Sequence, residues 1–329
     1  MGIFDFVGKR YWYFAFSLLI ILPGLVSLLI PPAFHPGIEF TSGSSLTIQF
    51  SEPVSQGDLR TALARLGHAE AIIQRTGEGA YLVRTRNLGE GPAAAEPADP
   101  SLAGEKERLL AALKQDLVSP EGRVDLISFD SVSPVIAEET IRNSVIQVGV
   151  ASVAILLYIT WAFRSLPKPF RYGVCAIVAL LHDVLVVLGL FSIFGKLFNT
   201  EIDSLFITAM LTVIGFSVHD TIVVFDRIRE NLRRYEREPF ATVVNVSLTQ
   251  TLARSLNTSI TTLLAMTALL LFGGPTIRTF VLALLLGITS GSYSSIFNAA
   301  QLLVAWESRD IPHFWRRFRA RTAVVPVKG

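Results

Sequence analysis

A single cysteine and a low content of charged residues set the first limits on this chain of 329 residues. Because Cys175 is the only cysteine, no intramolecular disulfide can form, and cysteine usage does not indicate the redox compartment. Charged residues make up 17% of the chain, against about 25% in typical soluble domains. The hydrophobic fraction of 51% and the mean hydropathy of +0.49 exclude an ordinary soluble protein and predict a membrane protein.

The sequence also lacks the motifs of common enzymes. It contains no P-loop, no HExxH, no Gly-x-Ser-x-Gly and no paired cysteines for a metal ion. The serines of the segment GSYSS have no base arranged beside them, which disfavours an intramembrane protease. We therefore expect a protein that is not an enzyme, holds no cofactor or metal and is not driven by its own nucleotide hydrolysis.

Six apolar segments have the length of about 20 residues that a membrane-spanning helix needs. Segment 11–30 is long for the core of a signal peptide and lacks a small-x-small cleavage site before the prolines that follow, so we expect an uncleaved span. The hydropathy pattern places the six spans at 11–30, 141–163, 170–194, 204–225, 249–272 and 279–305. The predicted regions are 1–30, a domain at 31–138, spans two to six at 139–306, and a basic tail at 307–329.

Basic residues predict the orientation of these spans. Lysines and arginines precede the first span, separate the second from the third, and follow the fourth and the sixth. All of these segments fall on one side of the membrane, so the positive-inside rule predicts that both termini are cytoplasmic. The basic residues in question are Lys9, Arg10, Arg164, Lys168, Arg171 and those within 227–237 and 309–321.

The large connection at 31–138, extracytoplasmic in this topology, has the pattern of a small α+β domain. SLTIQF alternates as a strand does, and SQGDLRTALARLG places Leu59, Leu63 and Leu66 at helical spacing. AEAIIQRTGEGAYLVRTR predicts a hairpin, EKERLLAALKQDL a second helix and VDLISFDSV a last strand. The order βαββαβ is typical of a ferredoxin-like module. A stretch rich in Ala, Pro and Gly at about 87–104 predicts a mobile loop.

Ionisable residues inside spans three, four and five are the first candidates for function. Each costs about 2.5–3.5 kcal/mol on insertion and therefore usually faces a protein interior or a pathway. Asp220 in span four and Arg254 in span five are predicted to lie at similar depth, where they can meet. Pairing favours the ionised carboxylate and burial favours the neutral acid, and this competition suits a reversible proton site. His219 is either a second titrating group or a neutral hydrogen-bond donor.

Other polar residues in the spans have a structural interpretation as well. A polar stripe on span five and small and polar residues on span six suit close helix packing and interhelical hydrogen bonds. His182 and Asp183 in span three fit a helix-linking hydrogen bond as well as a proton role. The stripe consists of Gln250, Arg254, Asn257 and Thr261, and the span-six residues are Gly287, Gly291, Ser294, Asn298 and Gln301.

Four segments resemble the SecF proteins of the SecD/SecF family, which belongs to the resistance-nodulation-division superfamily. They are SVHDTIVVFDRIREN, LARSLNTSITTLL, GSYSSIFNA and GIEFTSGSSL. The resemblance covers essentially the whole chain and implies a helical membrane protein of six spans, one pseudo-symmetric half of a transporter, with SecD supplying the other half. It also implies a place in the bacterial inner membrane, with SecD, the SecYEG channel, YajC, membrane lipid and the translocating polypeptide as partners, and no nucleic acid.

The resemblance further implies that proton flow is coupled to extracytoplasmic movements that pull an emerging polypeptide outward. On this sequence the proton-path carboxylate is then Asp220, its basic partner is Arg254, and Asn257 is a neighbour in the path. Two departures stand out: the family's approximate GxDFxGG reads with Glu39 and TSGSS here, and His219 replaces the common Asn before the key Asp. The alternatives are a scaffold that stabilises SecD and the channel without conducting protons, or a subunit of a proton-driven exporter of small molecules or lipids.

Overall fold

A computed structural model describes residues 4–76, 79–88, 104–166 and 168–308. Most of the predicted mobile loop at about 87–104 and nearly all of the basic tail lie outside these residues. The chain divides into two compact units, one formed by Met1–His35 with Gln147–Gly329 and the other by Pro36–Ile146. In chain order the elements are α1 (Arg10–Leu29), β1 (His35–Pro36), α2 (Ile38–Thr41), β2 (Gly43–Phe50), α3 (Gln56–Arg65), β3 (Ile72–Arg75), β4 (Ala80–Thr85), α4 (Glu105–Leu117), β5 (Val124–Val132), α5 (Pro134–Ala162), α6 (Phe170–Phe198), β6 (Glu201–Ile202), α7 (Ser204–Arg234), α8 (Phe240–Phe272), α9 (Pro275–Ser294), a π segment (Ser295–Ala299) and α10 (Ala300–Glu307).

Six of these helical stretches are long and apolar enough to cross a membrane, which confirms the prediction of six spans. They are α1, α5, α6, α7, α8 and the run from α9 through the π segment to α10. Several extend past the apolar segments that hydropathy marks, and α8 begins at Phe240 rather than at 249. Helical hydrogen bonding continues through polar turns, whereas hydropathy detects only the apolar part of a helix.

The spans differ sharply in how much of their surface this chain itself covers. In the most apolar part of each span, 56% of the residues are buried in α6, 56% in the sixth span and 50% in α7. The corresponding shares are 17% for α1, 6% for α5 and 11% for α8. Helices α6, α7 and α9 therefore form the centre, while α5 and α8 leave most of their surface open to lipid or to another protein.

The contact between α1 and α6 shows how closely two of these helices approach. A Cβ atom built on Gly24 would lie 2.6 Å from the Cα atom of Gly189. One turn away, the hydroxyls of Ser27 and Ser192 form a hydrogen bond of 2.8 Å. The Nζ atom of Lys196 donates to the carbonyl of Ile30 at 2.8 Å, which satisfies an acceptor at the C-terminal end of α1. Small residues thus bring the backbones together, as is usual where helices pack in membranes.

The smaller unit contains a four-stranded antiparallel sheet with the strand order β3-β4-β2-β5. Helix α3 follows β2 and helix α4 follows β4, so the chain order is the predicted βαββαβ. Ser55 caps α3 by accepting a hydrogen bond from the backbone NH of Asp58 at 3.1 Å. The core includes Leu46 and Ile48 of β2, Leu59 and Leu63 of α3, and Leu113 of α4, all fully buried. Leu66, which the sequence places at helical spacing with Leu59 and Leu63, is the residue at which α3 ends.

The turn that leads into β2 lies at one departure from the family pattern and has a backbone that favours glycine. Ser42 has φ 62° and ψ 168°, a region that only glycine adopts without strain. Gly43 has φ 124°, and a Cβ atom there would lie 2.6 Å from the carbonyl oxygen of Thr85. The motif GxDFxGG places its paired glycines at positions 42 and 43, and the structure gives a backbone reason for glycine at both.

Candidate functional site

Asp220 and His219 lie on different faces of α7. Successive residues of an α-helix project about 100° apart, so two neighbours can differ strongly in burial. Asp220 is 4% exposed, whereas His219 is exposed on the outer side. Within the described part of the chain His219 has no hydrogen-bond or ion-pair partner. The structure therefore separates the two residues that the sequence places together.

Asp220 is held by hydroxyl groups of the neighbouring helices. The Oγ atom of Ser295 donates a hydrogen bond of 3.4 Å to Oδ2 of Asp220. The hydroxyl of Ser255 on α8 lies beside the same carboxyl, but among the described residues it forms no hydrogen bond. Ser295 is the first residue of the π segment in the sixth span, and single π turns of this kind are frequent at functional sites.

Arg254 does not pair with Asp220 in this chain. Among the described residues no ion pair joins the two, and Arg254 is exposed. It lines a cavity of about 400 Å³ together with Asp226, Arg227 and Glu230 of α7. The buried residues of α8, which include Thr251 and Ser255, occupy a different face. The predicted meeting of Asp220 and Arg254 is thus not a contact that this chain makes by itself.

Asn257 and the rest of the predicted stripe on α8 share the exposed face with Arg254. Among the described residues neither Asn257 nor Thr261 has a side-chain hydrogen bond to another helix, and the Thr261 hydroxyl bonds to carbonyls of its own helix. Gln250 is the exception, because its Oε1 atom accepts hydrogen bonds from Arg227 at 2.6 Å and Asn231 at 2.8 Å. A row of polar side chains consequently lies uncovered on a helix apolar enough to span a membrane.

The most highly connected carboxylate inside the helices is Asp183 of α6, which is 1% exposed. Three serine hydroxyls donate to it, from Ser217 at 2.5 Å, Ser290 at 2.7 Å and Ser294 at 2.7 Å. The Nδ1 atom of His182 lies 3.0 Å from its Oδ1 and donates when it carries the proton. One carboxylate therefore joins α6, α7 and α9.

Only part of this cluster was identified from the sequence. The sequence predicts a helix-linking hydrogen bond or a proton role for His182 and Asp183 and a packing role for Ser294, but it does not single out Ser217 or Ser290. Gly291 is predicted to suit close helix packing, and a Cβ atom there would lie 3.0 Å from that of Ser217, so the glycine lets α9 approach α7. The available signal was spacing, because a serine four residues before Ser294 occupies the same helix face.

Further polar residues of the sixth span connect it to α1 or lie buried without a hydrogen-bond partner among the described residues. The hydroxyl of Ser17 on α1 donates to Oδ1 of Asn298 at 2.9 Å. Tyr293 donates to the carbonyl of Tyr13 at 2.9 Å, which ties the same two spans together. Gln301 is fully buried, and among the described residues neither of its amide atoms has a hydrogen-bond partner. The Nδ2 atom of Asn298 is also without one in the described part of the chain.

Within the residues that the structure describes, no group of three or more His, Cys, Asp or Glu side chains is arranged to hold a metal ion. The functional candidates are accordingly two buried carboxylates, Asp183 and Asp220, surrounded by hydroxyls, and an exposed polar stripe on α8. Carboxyl and hydroxyl groups can accept, donate and relay protons.

Comparison with known proteins assigns the family. Residues 113–309 match the family described as "Protein export membrane protein SecD/SecF, C-terminal", and residues 32–54 match the "SecD/SecF GG Motif". The chain belongs to the SecD/SecF family. The first match contains every candidate site residue, and the second contains the turn at Ser42 and Gly43.

Individual SecD/SecF relatives cover nearly the whole chain. The protein translocase subunit SecF of Thermobaculum terrenum is 49% identical over 98% of this chain and 99% of its own length. The SecDF of Bacillus subtilis is 32% identical over 93% of this chain, which corresponds to 38% of that protein. The crystal structure of SecDF from Thermus thermophilus, a translocon-associated membrane protein, superposes with a TM-score of 0.76 at 34% identity, covering 93% of this chain and 39% of that one. This chain is therefore similar to one portion of the longer SecDF proteins.

Proposed function

We propose that this chain works with a SecD-type partner in protein export, and that the pair couples proton flow across the bacterial inner membrane to pulling or release of the emerging polypeptide. In this proposal both termini are cytoplasmic and the unit Pro36–Ile146 is extracytoplasmic. SecYEG and YajC are the further partners, and protons are the coupling ion. The chain itself is a membrane component without enzymatic activity.

The observation that carries the proposal is the uncovered polar stripe on α8. Arg254 and Asn257 lie on an exposed face of a helix whose most apolar window is only 11% buried, and His219 is exposed on α7. A charged residue facing lipid costs about 2.5–3.5 kcal/mol at the centre of a span, so such a face is normally covered by protein or water. We infer that a second membrane protein covers it.

The length of the SecDF relatives supports SecD as that second protein. The Bacillus subtilis SecDF aligns with this chain over 38% of its length, and its name combines SecD with SecF. The part of that protein outside the alignment is longer than the aligned part, and the name SecDF indicates that it corresponds to SecD. A fused relative indicates that the two portions work together, and a partner helix against α8 would bury Arg254 close to Asp220.

Asp220 is the proposed proton carrier because it is buried, lies next to α8 at Ser255, and has serine hydroxyls rather than a lysine or arginine beside it among the described residues. Loss of a proton from Asp220 would leave a charge that Arg254 can balance once the partner excludes lipid from the stripe. Asn257 lies one turn from Arg254 and would supply a polar group for water in the same path. The polar cavity that Arg254 lines offers an aqueous approach from one end of α7 and α8.

The experiment is secretion driven by a proton gradient in inverted membrane vesicles that contain this chain and its SecD partner. We expect Asp220→Asn to abolish the stimulation by the gradient while co-purification with SecD is unchanged. Glu236→Gln is the matched control, since Glu236 lies just past the end of the same helix, is exposed and does not line the cavity at Arg254. Normal stimulation and normal proton conductance with Asp220→Asn would refute the proposal.

The scaffold alternative is favoured by one observation, the absence of an Asp220–Arg254 ion pair among the described residues. If the polar residues serve only to hold helices together, then replacing both charges by neutral groups should be tolerated, because no unpaired charge is left buried. Asp220→Asn combined with Arg254→Gln would then retain full gradient-dependent secretion. Under the proton-coupled proposal the double variant is as inactive as Asp220→Asn alone.

A further inference from the structure

We infer that Asp183 is a second proton-exchanging carboxyl of this chain, linked to Asp220 through the adjacent hydroxyls of Ser294 and Ser295. The inference rests on three observations among the described residues. Asp183 accepts hydrogen bonds from three serines, no lysine or arginine pairs with it, and buried polar atoms near it have no hydrogen-bond partner. The inference deepens the proposed function, because a second exchangeable carboxyl gives a proton a further place to reside inside the same subunit.

Asp183 lacks the partner that a permanently ionised buried carboxylate needs. Among the described residues no lysine or arginine lies within ion-pair distance of it. Its only basic neighbour is His182, at 3.0 Å, and an imidazole becomes a counter-charge only when it takes up a proton. Removing one charge from water without a partner is costly in an apolar interior. From neutral histidine and carboxylate, uptake of one proton at Nε2 of His182 gives histidinium and carboxylate, and transfer of the Nδ1 proton to Oδ1 of Asp183 then gives neutral histidine and neutral acid. Release of the proton reverses these two steps.

The hydroxyls around Asp183 suit both states. A hydroxyl can donate to a carboxylate, and it can accept from a carboxylic acid after rotation about its C–O bond. The three serines lie on two helices, Ser217 on α7 and Ser290 and Ser294 on α9. Because only their hydroxyls rotate, the backbone of the site need not change when the proton arrives. On uptake of one proton, an Oδ atom forms an O–H bond and one serine turns from donor to acceptor. No oxidation or reduction is involved.

Two consecutive serines of the sixth span bind Asp183 and Asp220. Ser294 donates to Oδ2 of Asp183 at 2.7 Å, and the next residue, Ser295, donates to Oδ2 of Asp220 at 3.4 Å. On α7, Ser217 precedes Asp220 by three residues, which is nearly one helical turn. The two carboxyls are thus bound to consecutive residues where the sixth span enters its π segment.

Unpartnered buried atoms next to this cluster indicate room for water. The Nε2 atom of His182 is buried and has no hydrogen-bond partner among the described residues, and neither has Nδ2 of Asn298. Gln301, one turn further along the sixth span, has no described partner for either amide atom. Buried polar groups are almost always paired, and ordered water is the usual partner where protein supplies none. Such waters would carry a proton to His182.

The titratable side chains near Asp183 are few, which makes a test interpretable. Among the described residues they include His182 on its own helix, Asp220 on α7, Tyr293 on α9, whose ring centroid lies 6.1 Å from that of His182, and Tyr13 on α1, which interacts with Tyr293. Helix α1, which also packs against α6, contributes the hydroxyl of Ser17 and the carbonyl of Tyr13 to this region. No other carboxyl competes for assignment within the cluster.

Infrared difference spectroscopy of the full chain in lipid nanodiscs, between alkaline and acid pH, tests the inference. We expect two protonated-carboxyl bands from buried groups, one lost in Asp220→Asn and the other lost in Asp183→Asn. Asp226→Asn, in which an exposed carboxyl is removed, should leave both bands. A spectrum of Asp183→Asn that superposes on that of the unmodified protein would overturn the inference.

A second variant keeps the test decisive if Asp183→Asn does not fold. In Ser290→Ala with Ser294→Ala the carboxyl remains and loses two of its three hydroxyl partners, so its band should shift in frequency while the band of Asp220 stays in place. Two unshifted bands would overturn the inference. Proton conductance of the complex with SecD is measured separately, so a complex that conducts no protons contradicts the proposed function and leaves the spectroscopic result intact.

Discussion

Gly24 of α1 and Gly189 of α6 face each other with no space for a side chain on either. A Cβ atom on Gly24 would lie 2.6 Å from the Cα atom of Gly189, and the reverse distance is also 2.6 Å. The obstacle is backbone on both sides, so neither helix can relieve the overlap by changing a rotamer. Helix α1 can pack this closely against α6 only if both positions are glycine.

Alanine at Gly189 is therefore expected to destabilise the membrane helices even though alanine favours helix formation. Overpacking of a tight contact costs about 1–3 kcal/mol, which exceeds the gain of roughly 1 kcal/mol from replacing a helical glycine. The measurement is the thermal unfolding midpoint in detergent. Gly149→Ala on α5 is the control, since no atom lies within 4 Å of its added Cβ, and it should be neutral or stabilising. An unchanged midpoint for Gly189→Ala would contradict the contact.

Removal of single serine hydroxyls around Asp183 should lower stability by similar amounts. Hydrogen bonds between membrane helices contribute about 0.6 kcal/mol on average and at most about 1.7 kcal/mol, and those to a carboxylate belong to the upper part of that range. Ser217→Ala, Ser290→Ala and Ser294→Ala are each expected to cost about 1 kcal/mol in unfolding experiments, and to combine non-additively because they share one acceptor. Ser152→Ala, whose hydroxyl bonds only to the carbonyl of Val148 in its own helix, should have little effect. Additive effects of the three would contradict a shared site.

The turn at Ser42 predicts a stabilising substitution. A non-glycine residue in this backbone region carries strain of about 1–3 kcal/mol, which glycine removes. Glycine also has more conformational freedom in the unfolded chain, and this offsets about 0.5–1 kcal/mol of the gain in stability. Ser42→Gly should thus raise the stability of the unit Pro36–Ile146 by about 1 kcal/mol, measured by proteolysis of the full chain in increasing urea.

Gly43→Ala should have the opposite effect in the same assay, because its Cβ atom would approach the Thr85 carbonyl as well as requiring a positive φ. Gly67→Ala separates the two causes, since Gly67 also has a positive φ, of 85°, but nothing lies within 4 Å of an added Cβ. We expect Gly43→Ala to cost more than Gly67→Ala. Equal losses would show that the close approach to Thr85 is unimportant.

His68 makes the stability of the same unit depend on pH. Burial, and then the positive charge of Arg86, lowers the pKa of His68 below its ordinary value of 6.5, and Glu105 opposes this in part. The side chain is 2% exposed and its Nδ1 atom lies 2.7 Å from Oγ1 of Thr85. Because the unfolded state binds the proton more readily, the contribution is complete above about pH 6.5 and is lost as the pH falls below it.

Urea unfolding followed by proteolysis of the full chain, repeated from about pH 8 down to about pH 5, measures this effect. The midpoint should fall at acid pH, and His68→Gln should reduce the fall because glutamine does not titrate. A parallel fall in both proteins would assign the effect to other groups.

Asp220 and Arg254 offer a test of what the partner adds. In the isolated chain they form no ion pair among the described residues, so a double-mutant cycle with Asp220→Asn and Arg254→Gln should give a coupling energy near zero. In the complex with SecD the same cycle, measured on the unfolding midpoint, should show coupling of about 0.5–3 kcal/mol, as found for residues in contact. Coupling that is equal in both samples would mean that the partner does not create the pair.

The sequence by itself determined the elements of this protein. Long apolar segments can satisfy their backbone in lipid only as helices, so hydropathy was sufficient to count six spans. Alternating and helical periodicity gave the order βαββαβ, and a carboxylate and an arginine in apolar segments marked Asp220 and Arg254 because their insertion cost is large. The family's paired glycines, by comparison with TSGSS, pointed to the turn at Ser42.

Only the tertiary structure decided which side of each helix meets which neighbour. Serine is nearly neutral in hydropathy, so hydropathy did not distinguish Ser217 and Ser290 from serines that bond to their own helix. Spacing relates Ser290 to Ser294 on one helix, but it does not relate either of them to Ser217 or Asp183 on other helices. Depth alone placed Asp220 near Arg254, but rotation about the helix axis turned Arg254 outward and Asp220 inward. That rotation is set by packing against other helices, and packing depends on contacts between residues that the linear pattern does not relate.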